Sequence, residues 1–189
     1  GRGGARLRGA GAPHIPDGDR VLVADGNLAI GFDDQLHTRL FASNRAITGH
    51  DASEVLLGKD GDLTAFRFTG HRVESIRDPQ HGKGSRHVVT GRSDTAVEKV
   101  VETTFFARHP GMAVLQVRYR NHGAQPLTVN GWRNVAHEMF DAPGGFWSFS
   151  GTTHADRRDW VRPVEKGFDQ RNTLGMDAPD YGGGTPVAN

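Results

Sequence analysis

Trp132, Trp147 and Trp160 are the side chains best suited to chemistry on a sugar. An indole face matches the apolar C–H face of a pyranose. The same side chain carries enough area to serve equally as core or interface packing. Asp180-Tyr181-Gly182-Gly183-Gly184 joins a carboxylate and a phenol to an approachable backbone, and reads either as a polar ligand loop or as a turn. Other patterns fail on spacing. His81-Gly82-Lys83-Gly84-Ser85 lacks the glycine four residues before Gly-Lys-[Ser/Thr] and the helix after it that a phosphate loop needs, so it reads as a turn. His137-Glu138 opens like a zinc-protease helix, but Asp141 stands where the second His is required, and the segment reads as a strand. No Gly-x-Ser-x-Gly elbow is present. A Ser–His–Asp triad stays open, because its members meet only in space. No catalytic residue, metal ligand or cofactor site is assigned.

The elements that would carry these residues read as strands. In Ala113–Arg120, Ala113, Leu115, Val117 and Tyr119 alternate with Val114, Gln116, Arg118 and Arg120, the period of a half-buried strand. Asn121-His122-Gly123 breaks the run, and Pro126 should open a return strand with Leu127, Val129 and Gly131 on one face, closing a hairpin. Phe146–Phe149 should be a third, aromatic strand. Earlier, Val21–Ala24 and Leu28–Phe32 flank Asp25-Gly26-Asn27, a strong hairpin signal. Val55–Leu57 and Leu63–Phe68 flank Lys59-Asp60-Gly61-Asp62 in the same way, and Arg86–Thr90 is another short strand. Thr95–Ala107 places Val97, Val100, Val101 and Thr104 at helical spacing, yet its density of Val, Thr and Phe favours a strand. Strand following strand without a long helix argues for an antiparallel all-β domain. From Ser150 onward, Pro and Gly punctuation predicts a looped excursion.

Composition sets the outer bounds. With 35% hydrophobic residues before glycine is counted, the chain can bury a core, and 189 residues suit one large sandwich. Glycine stands at 26 of 189, against a usual ~7%, as many turns between short strands require. A net charge of +1 gives no general attraction to nucleic acid. The absence of cysteine rules out disulfides and Cys-based zinc sites. No apolar run reaches the length of a membrane span. Residues 1–14 should be a flexible, basic, Gly-rich tail without the apolar core of a secretory signal, and residues 15–189 a β-sandwich. The compartment stays open, with a cytoplasmic one favoured.

The combination of VRYRNHGAQPLTV, WRNVAHEMF, FWSFSGTTHADRRDWV and FDQRNTLGMDAPDYGGGTPV resembles the N-terminal domain of α-galactosidase-like enzymes of glycoside hydrolase family 36, across roughly Val97 to Val187. Phe168–Val187 is the most specific part. The resemblance implies an antiparallel β-supersandwich of the galactose-mutarotase-like kind, followed by a (β/α)₈ barrel with two catalytic aspartates in a retaining mechanism. The sandwich is expected to be truncated at its C-terminal end, with the catalytic pair lying outside this chain. Trp147, Trp160, Asp180 and Tyr181 are then the candidates for contacts to substrate or barrel. The implied partners are the chain's own barrel, an α-galactoside and further copies in a homo-oligomer, with no nucleic acid and no membrane. Two alternatives remain: a free-standing carbohydrate-binding module, and the accessory sandwich of a glycoside phosphorylase.

Overall fold

The computed structural model describes residues 14–140, 145–149, 161–169, 171–172 and 187–188. The chain is all-β and built from antiparallel sheets, with no helix among the described residues. It divides into two compact units, Gly1–Phe140 and Asp141–Asn189.

The first unit opens with a meander of β1 (Val21–Asp25), β2 (Leu28–Phe32), β3 (Thr38–Ala42) and β4 (Arg45–Ala46), hydrogen-bonded in that order. Turn chemistry sets its register. Gly26 takes φ 58° in the two-residue loop between β1 and β2, and glycine at that first position suits the reversed turn a twisted hairpin needs. Ser43 and Asn44 both take positive φ, 50° and 63°, between β3 and β4, the pattern of a type I′ turn. A second sheet runs β10 (Ala113–Asn121), β9 (Val97–Phe106), β8 (Gly82–Arg92), β7 (Arg67–Asp78). A third joins β11 (Val129–Arg133), β5 (Val55–Gly58) and β6 (Gly61–Leu63).

The core is shared by two of these sheets, which gives the unit its sandwich character. Val21, Val23, Ile30 and Phe32 from the meander pack in one cluster with Val89, Val97, Val101 and Phe105 from β8 and β9. Each such side chain contributes about 1.5–3 kcal/mol on burial. Ala113, Leu115, Val117 and Tyr119 face this cluster while Val114, Gln116, Arg118 and Arg120 face out, so the alternation along β10 is as expected. Asp19 pins the start of the meander. Its fully buried carboxylate accepts from Arg39 Nε and Nη2 at 2.9–3.1 Å and lies 2.6 Å from His50 Nε2.

The strand over Thr95–Ala107 stands as β9, and its helical spacing is incidental. Other expectations are corrected. Ala113–Arg120 and Leu127–Gly131 do not form a hairpin: β10 pairs with β9, and β11 crosses to β5. The long non-local ladder wins because Leu56 and Val55 on β5 are buried there and pair with Trp132 and Arg133. Leu63–Phe68 is not one strand. β6 ends at Leu63, and β7 begins at Arg67 after Phe66 has turned into the core. Gly82–Ser85 is strand rather than turn. The turn sits just before it, where Asp78 Oδ1 accepts from the backbone N–H of Gln80 and His81, both at 2.8 Å. Those bonds hold the Asp78 carboxyl below its ordinary pKa.

In the second unit, β12 (Phe146–Phe149) pairs with β13 (Val161–Val164), and β14 (Arg171–Asn172) with β15 (Val187–Ala188). The aromatic strand Phe146–Phe149 is therefore present as expected.

Candidate functional site

A cleft of about 400 Å³ opens between β10 and β11. Val117, Tyr119 and Asn121 reach it from β10, and Val129 and Trp132 from β11. On a regular strand, residues three apart point to opposite faces. A register shift between Val129 and Gly131 resets the alternation, which lets both Val129 and Trp132 line the cleft. Leu56 on β5, directly opposite Trp132, supplies the adjoining wall. Trp132 is 70% exposed, an aromatic face offered to solvent rather than packed.

Two asparagines stand among the lining residues. Asn121 accepts from Gly123 N–H and donates to Gln125 C=O, both at 2.8 Å, so its amide is oriented by the chain reversal after β10. Asn134 also lines the cleft, next to Val135, which takes φ 55°. A β-branched residue in that region is strained, so the backbone leaving Trp132 is held by its surroundings.

An ionic group lies behind Tyr119. Lys99 pairs with Tyr119 across β9 and β10 and is 1% exposed. Its Nζ donates to the Glu54 backbone C=O at 2.9 Å, sits 3.7 Å from Glu54 Oε2 and lies over the Phe66 ring at 5.2 Å. Glu54 is equally buried, and neither carboxylate oxygen has a hydrogen-bond partner; the Tyr119 hydroxyl has none either. Burial pushes the Lys99 pKa down, against the opposing pull of Glu54. Burial, then the Glu54 charge, pushes the Tyr119 phenol far up. Among the described residues, the cleft is lined by apolar, amide, indole and phenol groups. Such groups can pack against a ligand and hydrogen-bond to it.

The open triad reading has a structural counterpart. His137 Nδ1 lies 3.3 Å from Asp51 Oδ2, His137 Nε2 lies 3.5 Å from Thr38 Oγ1, and Thr38 bonds Ser53 Oγ. Thr38 and Ser53 are 1% and 0% exposed, so no substrate carbonyl can approach either hydroxyl. The chain of bonds ties His137 and Glu138 to the 51–53 segment, since Glu138 N–H also donates to Asp51 at 3.1 Å. His137-Glu138 is not in a strand; only an isolated bridge, Thr48 to Met139, forms beside it. No group of three or more potential metal ligands occurs among the described residues.

Of the four residues singled out from sequence, Trp147 lies on β12 opposite Pro163 and is 65% exposed. Trp160, Asp180 and Tyr181 lie outside the described residues. Trp132 belongs to the cleft, and its partners Tyr119, Asn121 and Asn134 were not singled out. Lys99 carried a readable signal: a charge on the same strand face as Val97 and Val101, which turn to the core, must find a partner. No protein-family model matches the chain, and no curated protein matches it.

Proposed function

We propose that this chain is the non-catalytic N-terminal β-sandwich domain of an α-galactosidase-type glycoside hydrolase, with the supersandwich topology of galactose-mutarotase-like domains. The motifs between Val97 and Val187 support this reading, as does the antiparallel all-β architecture. The observation that carries it is a set of exposed apolar side chains on and either side of β11. Leu127, Val129, Trp132, Val135 and Phe140 are each 41–70% exposed. Leu127, Val129 and Trp132 share one cleft, and exposed apolar side chains gathered there suit a surface that a (β/α)₈ catalytic barrel covers. In the same reading the parent enzyme hydrolyses terminal α-galactosides, assembles as a homo-oligomer, and draws both catalytic aspartates from its barrel.

The test compares this chain with one extended through the downstream coding sequence. The short chain should release no nitrophenol from an aryl α-galactoside, and its Trp132 should be quenched freely by acrylamide. The extended chain should be active, and quenching of Trp132, isolated by comparison with Trp132→Phe, should fall. Turnover by the short chain that disappears on mutating one of its residues refutes the proposal.

One observation favours the carbohydrate-binding module as the second reading. The Trp132 cleft is itself large enough for a single sugar residue. That reading requires micromolar galactoside affinity in this chain alone, abolished by Trp132→Ala; millimolar or weaker affinity favours the accessory domain.

A further inference from the structure

Two imidazoles on neighbouring strands of the β7–β10 sheet turn their nitrogens toward each other. His71 lies on β7 and His87 on β8, diagonal in register, since His71 pairs with Val89 and Val73 with His87. His71 Nε2 and His87 Nδ1 are 3.2 Å apart. The ring planes differ by 11°, with centroids 5.5 Å apart, so the two nitrogens sit on facing edges rather than on stacked faces. His87 is steadied by an edge-on contact with Phe105 at 5.9 Å, while His71 is exposed.

A head-to-head pair of this kind shares one proton. One nitrogen donates, the other accepts, and both rings are neutral. Neutral imidazole is the form that binds metals.

We propose that His71 and His87 form a two-nitrogen chelate for a divalent transition-metal ion of the Zn²⁺ or Cu²⁺ class, with water completing the coordination. The spacing carries the argument. An ion about 2.0–2.1 Å from each of two nitrogens held 3.2 Å apart sees them at an angle of roughly 100°, close to tetrahedral. To reach it, each ring turns about χ2, a broad torsion for histidine. Whichever ring carries its proton on the facing nitrogen moves it, through water, to its other nitrogen. Both rings stay neutral, and no proton is released overall. Two paired strands fix the backbone of both ligands, so only the rings move to receive the ion. His81 Nδ1 and His109 Nε2 form a second close pair at 3.3 Å. That pair is packed against Phe106 at 5.1 Å, and the Arg108 side chain crowds the adjacent Gly82, so a dication there meets a like charge.

The experiment is calorimetric titration of the metal-stripped chain with ZnCl₂, CuCl₂ and, as a hard-ion control, MgCl₂. One transition-metal ion should bind, Cu²⁺ more tightly than Zn²⁺, with no Mg²⁺ uptake, because imidazole ligands and the divalent series both order affinity that way. His71→Gln and His87→Gln should each weaken binding at least tenfold, and His109→Gln should leave it unchanged. Affinity unchanged from the natural chain in either strand variant, loss in His109→Gln instead, or no uptake at millimolar metal overturns the proposal. If a variant fails to fold, imidazole ¹⁵N signals of the unsubstituted chain decide the matter. Those of His71 and His87 must move on Zn²⁺ addition; if they stay in place while zinc binds, the assignment is wrong.

Discussion

The Glu54–Lys99 pair makes the sharpest energetic prediction. Both side chains are 1% exposed, so each charge has lost its hydration. Lys99 Nζ makes one close bond, to the Glu54 backbone carbonyl at 2.9 Å, and one looser ionic contact at 3.7 Å. Neither Glu54 oxygen has a hydrogen bond. Lys99→Met keeps the length of the side chain but removes the cation. It leaves a sealed carboxylate without a partner and a backbone carbonyl without a donor. Breaking a buried pair from one side costs about 3–5 kcal/mol, of which the orphaned carbonyl accounts for about 1. Replacing both residues, as in Glu54→Leu with Lys99→Met, removes both buried charges together and leaves only the residue-54 backbone carbonyl without its donor, at about 1 kcal/mol. Such exchanges are neutral or stabilising by about 1–4 kcal/mol. The double variant should therefore fall no more than about 1 kcal/mol below the natural chain, and the cycle should show a coupling of about 3 kcal/mol or more. Urea unfolding followed by tryptophan fluorescence measures all four corners. A Lys99→Met loss below about 1 kcal/mol, or a double variant as unstable as the two singles added, would show that the pair is not sealed from water as described.

Gly31→Ala should destabilise by about 1–3 kcal/mol, toward the upper end, lowering the melting temperature by several degrees. Its new Cβ would lie 2.4 Å from Asp19 Oδ1, and that carboxylate cannot retreat without leaving Arg39 and His50. Differential scanning calorimetry checks it, with a melting point unchanged from the natural chain as the contrary result. Tyr119 predicts an alkaline limit. Its folded pKa is raised above the unfolded value of 10.0, so the native state holds the proton longer, and the stability this gives is lost as pH climbs past 10. Absorbance at 295 nm should show the Tyr119 phenolate appearing only with unfolding, and Tyr119→Phe should flatten that part of the stability profile. Lys99 acts in the opposite sense. Its folded pKa is lowered, so the unfolded chain binds the proton more strongly and this group's contribution to stability rises with pH toward 10.5. Lys99→Met should remove that rise in pH-dependent urea midpoints.

Where local chemistry decides, the fold was readable from sequence. Leu28–Phe32 and the Gly26 reversal follow from strand composition and turn residues alone, and the facing of β10 follows from strict alternation. Where a distant partner decides, it was not. Nothing local in VNGWR says that it pairs with VLLG rather than with the preceding strand, because both choices satisfy its alternation. Thr38–Ala42 and the part of β7 beyond Phe68 escaped because polar residues interrupt their pattern, and Thr38 is buried through hydroxyl bonds rather than apolar contact. Trp132 could be picked out as a sugar-stacking residue, whereas its neighbours in the cleft come from strands that only the β5–β11 ladder brings together.

That ladder also sets an order in time. Every other ladder among the described residues of the first unit joins consecutive strands, closed by short turns. Pairing Val55–Gly58 with Val129–Arg133 instead closes a loop that encloses the whole β7–β10 meander. Loop closure grows by about 0.6 kcal/mol for each doubling of length, so this step carries roughly 2.5 kcal/mol more entropy loss than a tight hairpin. Nearest-neighbour hairpins should form first, and the β5–β11 ladder should close last, over meanders already in place. Trp132 sits in the closing strand, opposite Leu56. Its fluorescence would then report the final step of refolding, while backbone circular dichroism would report the earlier ones.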